Sequence, residues 1–361
     1  MKITDVQVHL LNVPAPPAFR WRDGLPGSDP DHVVGWLEVG TDQGISGFAA
    51  CHRGKLLEDF VERRLRSELI GQDPFMREHL WHRIWELDRI EYFPVYMLGL
   101  VDVALWDIAG KTLEQPVWKL LGGAKTSIPA YASTATFSST AEFLDVADQC
   151  LELGYLAIKL HAWGDARRDA SLCQALRAHL GPNVPLMYDG SAGFDLSDAV
   201  YLGQALSEAD YLWYEEPMKE HSIDAYQRHG ERVRVPLLVA EVTNGSHWTT
   251  ADFIKSGCAS SVRTGAGFKG GFTGALRVAH LAEAHHLRAE MHGAGLENAH
   301  LCMSIRNNTY YESLVTTNPV VREPRVNANG LVHAPEGHGV GYELGWHGSR
   351  PWRADSGVRR P

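Results

Sequence analysis

The sequence predicts an α/β protein in which an α+β domain precedes a (β/α) barrel of the TIM type. Three observations support this prediction. The hydrophobic period is that of strands up to about residue 50 and that of helices from Leu57 to Leu121. From about Ser127, short apolar runs and amphipathic segments alternate, as in consecutive βα units. Three of those apolar runs end on an acid, and these acids are spaced 26 residues apart.

The first domain begins with two strand-like segments. Residues 1–13 and 32–50 alternate apolar and polar positions, the second around a DQG turn. Between them, residues 15–31 form a loop rich in Pro, Gly and Asp that contains Arg20 and Arg22. Because arginine side chains suit carboxylates, this loop is either a surface loop or a lid that meets an anionic substrate.

Helices are predicted to complete the first domain. Three segments have helical periodicity: 55–69, 74–90 and 97–113. Pro116 and the pair Gly122-Gly123 end this block, so we place the boundary of the domain at residue 123. The segment 322–361 is rich in Gly and Pro. We expect it to return to domain 1–123 and complete it, with a poorly ordered end.

Residues 124–321 are predicted to form the barrel. Eight segments have the character of buried strands: SIPAYAS, LAIKLHAW, PLMYDGS, YLWYEEP, PLLVAEV, SSVRTGA, RAEMHGA and TYYES. Amphipathic segments such as EFLDVADQCLEL and GALRVAHLAEAHH lie between them. Parallel strands joined by right-handed helical crossovers close into a barrel when about eight of them follow one another.

Composition and charge exclude several functional classes. The 361 residues carry a net charge of −10 and no basic tract, so nucleic acid and membranes are not expected partners. The five cysteines are scattered and form no CxxC pair, which is typical of reduced thiols. The first residues lack the regions of a signal peptide, and no apolar run reaches the length of a membrane span. We therefore expect a cytoplasmic protein.

The three regularly spaced acids are Asp189, Glu215 and Glu241. Each is predicted to end a parallel strand, where the loops open outward and ligands gather. Three carboxylates that converge on a poorly solvated point repel one another unless a cation lies between them. Hard oxygen ligands of this kind favour Mg2+. The alternative is that these residues are three solvated acids on separate loops.

Four further reactive residues are predicted at strand ends of the same barrel. Lys159 and His161 are two positions apart in LAIKLHAW, so a strand directs both side chains to one face. His292 follows the apolar part of RAEMHGA, and Glu312 lies near the end of TYYES. A lone Lys is usually on the surface and a lone His is usually structural. The shared position of these residues with the acids favours a functional role.

Together these motifs resemble those of the enolase superfamily, in its mandelate racemase-like subgroup. The similarity covers nearly the whole chain. It includes DVALWDIAGK and QPVWKLLGG in the first domain, and KLH, EEP, GGFTG, MHG and YYES in the second. The combination of the three acids with EEP is highly specific, whereas GGFTG alone would be a weak signal.

The resemblance implies a modified barrel, a capping role for the α+β domain, and a bound Mg2+. The chemistry implied is abstraction of the proton α to a carboxylate. This chemistry needs the metal and a nearby cation to hold the charge of the enediolate. By motif, the metal ligands would be Asp189, Glu215 and Glu241.

The resemblance also implies a role for each of the other four residues. Lys159 would lie near the substrate carboxylate, and Glu312 would hydrogen-bond to that carboxylate. His161 and His292 would face the α-carbon from opposite sides.

Three positions depart from the family's pattern. The second basic residue of the Lys-x-Lys type motif is His161, and a histidine already titrates near neutral pH. The Asp that usually orients the other histidine is replaced by Gly265, and residues 260–271 contain no acid. We therefore expect His292 to lack a carboxylate partner and to donate a proton rather than accept one. Ser191 stands where the family has Asn.

These features lead us to expect a lyase that dehydrates a sugar acid, an aldonate or aldarate, to a 2-keto-3-deoxy acid. The candidates to contact substrate hydroxyls or a distal carboxylate are Arg20, Arg22, His52 and Lys269. A racemase or epimerase would need two competent bases, which the missing acid argues against. A cycloisomerase would need a different leaving group.

Two further alternatives are less consistent with the residues. A non-catalytic small-molecule binder would have no use for the intact Lys159, His161 and His292. A zinc site formed by His285, His286 and His292 is disfavoured, because the first two precede a strand and should lie at the opposite end of the barrel. We expect a homo-oligomer acting on a small carboxylate, and the fold alone does not select the substrate.

Overall fold

The first sheet of the chain is antiparallel and has three strands. In the computed structural model, which describes residues 1–14, 17–27 and 33–343, the strands β1 (Ile3–Asn12), β2 (Val33–Thr41) and β3 (Ser46–Cys51) are adjacent in that order. Every second residue of β2 is buried, so one face of the sheet packs against the rest of the domain. Residues 15–16 and 28–31 of the predicted loop lie outside the described residues.

Helices pack against this sheet. Their bounds are α1 (Gly54–Phe60), a π-helical turn (Val61–Leu65), α2 (Arg66–Leu69), α3 (Arg77–Glu91), α4 (Val95–Thr112) and α5 (Val117–Leu120). Gly47 of β3 lies so close to α4 that a Cβ there would be 2.0 Å from the carbonyl oxygen of Ala104. The central helix therefore packs directly on the backbone of the sheet. Among the described residues, no helix is long and apolar enough to span a bilayer.

The second sheet forms the barrel. Its parallel strands are β4 (Ser127–Thr134), β5 (Ala157–His161), β6 (Leu186–Asp189), β7 (Trp213–Glu215), β8 (Leu237–Val239), β9 (Ser261–Thr264), β10 (Arg288–Met291) and β11 (Tyr311–Val315). Neighbours pair in the order β10-β9-β8-β7-β6-β5-β4-β11, and in the described chain β10 and β11 share no ladder. The predicted α/β fold class is confirmed, and the barrel has a seam.

Helices connect the barrel strands. Their bounds are α6 (Thr140–Glu152), α7 (Ala166–Leu180), α8 (Leu196–Glu208), α9 (Ile223–Gly230), α10 (Ser246–Ser256), α11 (Gly271–Ala284) and α12 (Leu296–Ser304). Four of them begin at a side chain that accepts a backbone N–H of the first turn: Ser139, Asp165, Asp195 and Ser222. These caps define where the loops before α6, α7, α8 and α9 end, at the carboxyl end of the barrel.

The segment after β11 contacts both parts of the chain. Its short strand β12 (Leu331–His333) pairs antiparallel with β4 of the barrel. Further on, the N–H of Val340 donates to Asp107 of α4 at 2.8 Å. The segment thus joins the barrel sheet as well as the first domain to which it was predicted to return. Residues 344–361 lie outside the described residues.

Asp102 of α4 connects the first domain to the first turn of α11. Its carboxylate accepts hydrogen bonds from the N–H and the hydroxyl of Thr273, at 2.9 and 2.6 Å. A Cβ at Gly271 would lie 2.4 Å from this carboxylate, so a side chain there would separate the two elements. Burial raises the pKa of Asp102 to about 6, although both bonds from Thr273 lower it. The DVALWD and GGFTG motifs therefore form one interface.

His300 of α12 is buried where three segments meet. Its Nδ1 accepts the N–H of Trp118 at 3.0 Å, and its Nε2 donates to the carbonyl of Val340 at 3.0 Å. The bond from Trp118 requires an unprotonated Nδ1, and therefore the neutral ring. Burial lowers the pKa of His300 to about 4.

We predict that His300 makes the fold less stable in acid. Because its pKa is lower in the folded chain, the unfolded chain binds more protons between about pH 4 and 6.5, and stability falls as the pH decreases through that window. His300→Gln should lower stability at neutral pH but remove about 3 kcal/mol of this pH dependence. Denaturant unfolding of both proteins at about pH 7 and about pH 4.5 measures the difference. His229, whose pKa burial also lowers to about 4, is present in both. Parallel losses of stability would contradict the prediction.

Candidate active site and metal centre

The carboxyl ends of the barrel strands bring the predicted reactive residues to one cavity of about 660 Å3. Strands β5, β6, β7 and β11 carry five of the seven, and the loops directly after β8 and β10 carry the other two. Glu312 was predicted near the end of its strand, but it is the second residue of β11, because the strand begins at Tyr311 and continues to Val315. Six of the seven line the cavity: Lys159, His161, Asp189, Glu241, His292 and Glu312. The seventh, Glu215, is completely buried beneath them.

The three acids form a buried cluster. One carboxylate oxygen from each of Asp189, Glu215 and Glu241 lies within 4.8 Å of the others. In the described chain, Glu241 Oε2 is buried and has no hydrogen-bond partner. An orphaned carboxylate oxygen beside two further carboxylates fits a hard cation. Glu241 lies two residues beyond β8 rather than at its end, because the chain turns at Ala240 with a φ of 66°.

Lys159 is a fixed positive charge among these acids. Its Nζ lies 3.0 Å from Asp189, 2.8 Å from Glu215 and 2.9 Å from Glu312. Burial alone would lower the pKa of Lys159, but Glu215 and Glu312 outweigh burial and hold it well above its ordinary value. An ammonium group that cannot lose its proton is suited to hold a substrate anion.

His161 is oriented by the backbone. Its Nδ1 lies 2.8 Å from the carbonyl oxygen of Thr134, and since a carbonyl can only accept, Nδ1 carries the proton. In the neutral ring the lone pair is therefore on Nε2, which lies 3.1 Å from Asp189. The indole of Trp21, from the loop of the first domain, lies 4.5 Å from the His161 ring between centroids. The ring is thus covered on one side while Nε2 stays directed at the cluster.

His292 has a carboxylate partner, which corrects the expectation that it lacks one. Strand β9 supplies no acid, as its sequence indicated, but His292 Nε2 lies 3.1 Å from Glu241 after β8. Burial alone would lower the pKa of His292, and Glu241 raises it above the ordinary value. The ring also packs on Phe268, with 4.9 Å between the ring centroids. The sequence did not indicate this contact because it joins two different loops.

Asn298 is a site residue that the sequence analysis missed. Its Nδ2 donates to the carbonyls of His292 and Gly293 at 2.7 and 2.9 Å, and its Oδ1 accepts from Ala266 at 3.1 Å. A Cβ at Gly265 would lie 3.0 Å from the carbonyl of His292. Asn298 therefore holds the loop of His292 from the side where the family has an Asp.

Arg263 of β9 was also missed. It is fully buried, and its guanidinium donates twice to Glu215, to the Tyr131 hydroxyl at 3.0 Å and to the carbonyl of Met291. Burial alone would raise the pKa of Glu215, but Arg263 and Lys159 lower it below its ordinary value. Arg263 therefore offsets part of the negative charge from below the cluster. The available signal was a cation inside a strand that the sequence predicted to be buried.

Glu312 connects the two sides of the barrel seam. One carboxylate oxygen lies 2.9 Å from Lys159, and the other accepts the N–H of Gly293 at 2.6 Å. Burial alone would raise the pKa of Glu312, but Lys159 and Arg263 hold it well below its ordinary value. The carboxylate is thus an anion that ties β11 to the loop after β10.

The four residues predicted to contact the substrate are not among those that line the cavity in the described chain. Arg20 is exposed and pairs with Asp23 at 3.3 Å, and His52 is exposed as well. Lys269 is buried and donates to the carbonyl of Glu241 at 3.0 Å, so it supports that loop from behind.

Arg22, the fourth, donates through its Nε to the carbonyl of Ser191, a lining residue, at 3.0 Å. Its neighbours Trp21 and Leu25 line the cavity instead. Ser133 lines it too, and within the described residues its buried hydroxyl has no hydrogen-bond partner. The loop of Trp21 and Leu25 therefore contributes apolar surface to the cavity. The Ser133 hydroxyl is an unsatisfied donor beside the acid cluster.

Both halves of the chain match family descriptions. Residues 29–122 match "Mandelate racemase / muconate lactonizing enzyme, N-terminal domain", and residues 142–347 match "Enolase C-terminal domain-like". A 3,6-anhydro-alpha-L-galactonate cycloisomerase of Streptomyces coelicolor is 28% identical, over 94% of this chain and 96% of the relative. A D-galactarolactone cycloisomerase of Agrobacterium fabrum is also 28% identical, over 95% and 97%.

A solved structure is similar along the whole length. D-glucarate dehydratase from Agrobacterium tumefaciens, crystallised with magnesium, has a TM-score of 0.87 and 29% identity, covering 96% of this chain and 97% of that one. The likeness extends over both the first domain and the barrel.

We predict that the acid cluster binds one divalent cation. Glu241→Gln removes a charge at the orphaned oxygen, so Mg2+ binding should weaken by more than the roughly 10- to 100-fold typical when a residue that only supports a ligand is changed. Titration calorimetry measures the stoichiometry and the affinity. Glu231→Gln, at an exposed glutamate, is the control. Undiminished binding by the Glu241 variant would show that these acids do not hold the ion.

Proposed function

The chain belongs to the mandelate racemase and muconate lactonizing enzyme family of the enolase superfamily, as its motifs indicated, and on this premise we propose that it is a lyase that removes the α-proton of a sugar acid and then eliminates the β-substituent. The observation that supports this most directly is the position of the two histidines. His161 lies 3.1 Å from Asp189 and His292 lies 3.1 Å from Glu241, so they approach the acid cluster from its two ends.

The substrate carboxylate would bind beside Lys159. The Lys159 ammonium keeps its proton, and the unpartnered hydroxyl of Ser133 lies in the same wall of the cavity. A divalent cation, Mg2+ by ligand preference, would be held by Asp189, Glu215 and Glu241, and when bound it stabilises the charge that develops on the substrate carboxylate. A carbon next to a carboxylate is a very weak acid. The ammonium group and the cation would make its proton easier to remove, because both stabilise the negative charge that forms.

His161 would be the base. Its Nδ1–H is held by the Thr134 carbonyl, so Nε2 carries the lone pair that takes the α-proton. The electrons of the broken C–H bond form the enediolate. Trp21 covers the ring, which limits access of water to the nascent imidazolium.

His292 would be the acid. Glu241 and the Phe268 ring hold it at the other end of the cluster, and Glu241 favours its protonated form. The enediolate expels the β-hydroxyl, the proton of His292 completes a water molecule, and the resulting enol becomes a 2-keto-3-deoxy acid. The substrate class proposed is therefore an aldonate or aldarate.

Cycloisomerisation is the second candidate, and similarity to two cycloisomerases over nearly the whole chain favours it. The same two proton transfers would serve if the leaving oxygen belonged to a ring of the substrate. Dehydration lowers the mass of the substrate by one water, whereas cycloisomerisation leaves the mass unchanged. A library of sugar acids and their lactones, with a 2-keto-acid readout and mass spectrometry, therefore separates the two reactions. No turnover of any member would contradict the proposed substrate class.

We predict unequal effects of the two histidines. His292→Asn should abolish product formation but retain exchange of the substrate α-proton with D2O, because the enediolate can still form and return. His161→Asn should abolish both. Proton NMR of the substrate in D2O measures exchange, and His285→Asn, at an exposed histidine, is the control.

Two results would contradict these roles. Exchange that survives loss of His161 but not of His292 would reverse base and acid. If each single variant retained exchange of the opposite stereoisomer, the enzyme would have two bases, and the racemase or epimerase reading would replace elimination.

A further inference from the structure

Residues 20–23 of the first domain are bound to the barrel at three points. The N–H of Thr136 donates to the carbonyl of Arg20 at 2.9 Å, and the N–H of Asp23 donates to the carbonyl of Trp163 at 3.2 Å. The third bond is made by a side chain: Arg22 Nε donates to the carbonyl of Ser191 at 3.0 Å. Backbone bonds of the first two kinds would form with many sequences, so Arg22 supplies the residue-specific part of this docking.

Two glycines of the barrel loops make room for Arg22. A Cβ at Gly164 would lie 3.3 Å from Arg22 Cδ, and a Cβ at Gly193 would lie 2.7 Å from both Cδ and Nε. Gly164 has a φ of 78°, which by itself favours glycine, whereas Gly193 does not have a left-handed φ. Arg22 is therefore the nearest steric obstacle to a side chain at Gly193, followed by the carbonyl oxygen of Gly190 at 3.0 Å.

Ser191 links Arg22 to the acid cluster. Its carbonyl accepts from Arg22, and its own N–H donates to Asp189 Oδ1 at 2.8 Å. Ser191 has a φ of 44°, a conformation that non-glycine residues adopt only when their surroundings hold it. Arg22 and Asp189 hold this one residue from both sides.

The same loop reaches the cluster at a second point. Trp21, the residue before Arg22, lies 4.5 Å from the ring of His161, and His161 in turn lies 3.1 Å from Asp189. Docking of residues 20–23 is thereby connected to Asp189 through the backbone of Ser191 and through the ring of His161.

We propose that Arg22 is a positioning residue that fastens this loop to the barrel and couples its docking to cation binding at Asp189. The coupling rests on the proposed function in one respect, which is that Asp189 is a ligand of the cation. Because coupling between two equilibria is reciprocal, a docked loop raises the affinity for the cation, and the cation strengthens the docking. Arg22 thus acts on the site without contacting the substrate, in place of the carboxylate contact expected from its sequence.

The test uses two variants that break the contact from opposite sides. Arg22→Met removes the donor and keeps the apolar stem, whereas Gly193→Ala keeps Arg22 and fills its space. Arg20→Met is the matched control, because that side chain is exposed and pairs only locally, with Asp23. Circular dichroism checks that all three fold.

Two readouts do not require turnover. Mg2+ affinity is measured by titration calorimetry in the absence of substrate, and docking is measured by the rate of chymotrypsin cleavage after Trp21, mapped by mass spectrometry. Arg22→Met and Gly193→Ala should weaken Mg2+ binding by roughly 5- to 20-fold, within the range typical of coupled sites. They should also be cleaved faster and be protected less by Mg2+, while Arg20→Met behaves like the wild type.

The possible results distinguish failure of the coupling, of the fastening by Arg22 and of the metal centre. Faster cleavage of both variants with unchanged Mg2+ affinity would overturn the coupling. Arg22 would then only fasten the loop to the barrel. Unchanged cleavage and affinity would overturn both. A wild-type chain that binds no divalent cation would overturn both the coupling and the metal centre. In that case Glu241→Gln and the wild type would give the same result in the Mg2+ titration.

Discussion

Repulsion among buried carboxylates is the constraint on which the rest of this structure depends. Two like charges about 4 Å apart cost about 4 kcal/mol even at an effective dielectric constant of about 20, and the barrel brings Asp189, Glu215, Glu241 and Glu312 to one dry end. Lys159 and Arg263 offset half of this charge from within the barrel, and each contacts more than one acid. The orphaned oxygen of Glu241 is where a cation would complete the balance.

The two histidines each lie 3.1 Å from an acid of the cluster but are otherwise held in different ways, and the proposed elimination would take its direction from this difference. His161 is fixed by a backbone carbonyl, which places a proton on Nδ1 and directs Nε2 at Asp189. His292 is fixed by Glu241 and by the face of Phe268, which favours the charged ring. With the proposed base at one end of the cluster and the proposed acid at the other, the site would serve dehydration and ring opening alike, and the substrate's leaving group would decide which reaction takes place.

The first domain contributes to this chemistry by docking rather than by supplying charge. Asp102 and Gly271 allow α4 to pack on the first turn of α11, and Arg22 holds the loop of Trp21 against Ser191. Gly271 and Gly193 have no side chain, and this allows both close approaches. Glu312 then ties β11 to the loop of His292 across the seam between β10 and β11. The cavity is thus assembled from segments far apart in the chain.

The sequence by itself determined the strands and helices, the convergence of the acids with Lys159, His161, His292 and Glu312, and the family. These follow from local rules: a strand directs alternate residues to one face, and parallel strands present their carboxyl ends together. Only the tertiary structure decided that Glu241 partners His292, that Arg263 and Asn298 support the cluster, and that Arg22 and Lys269 bind backbone carbonyls. These contacts join separate strands, helices and loops, and how closely such elements approach depends on packing between them, which hydrophobic periodicity along one element does not encode.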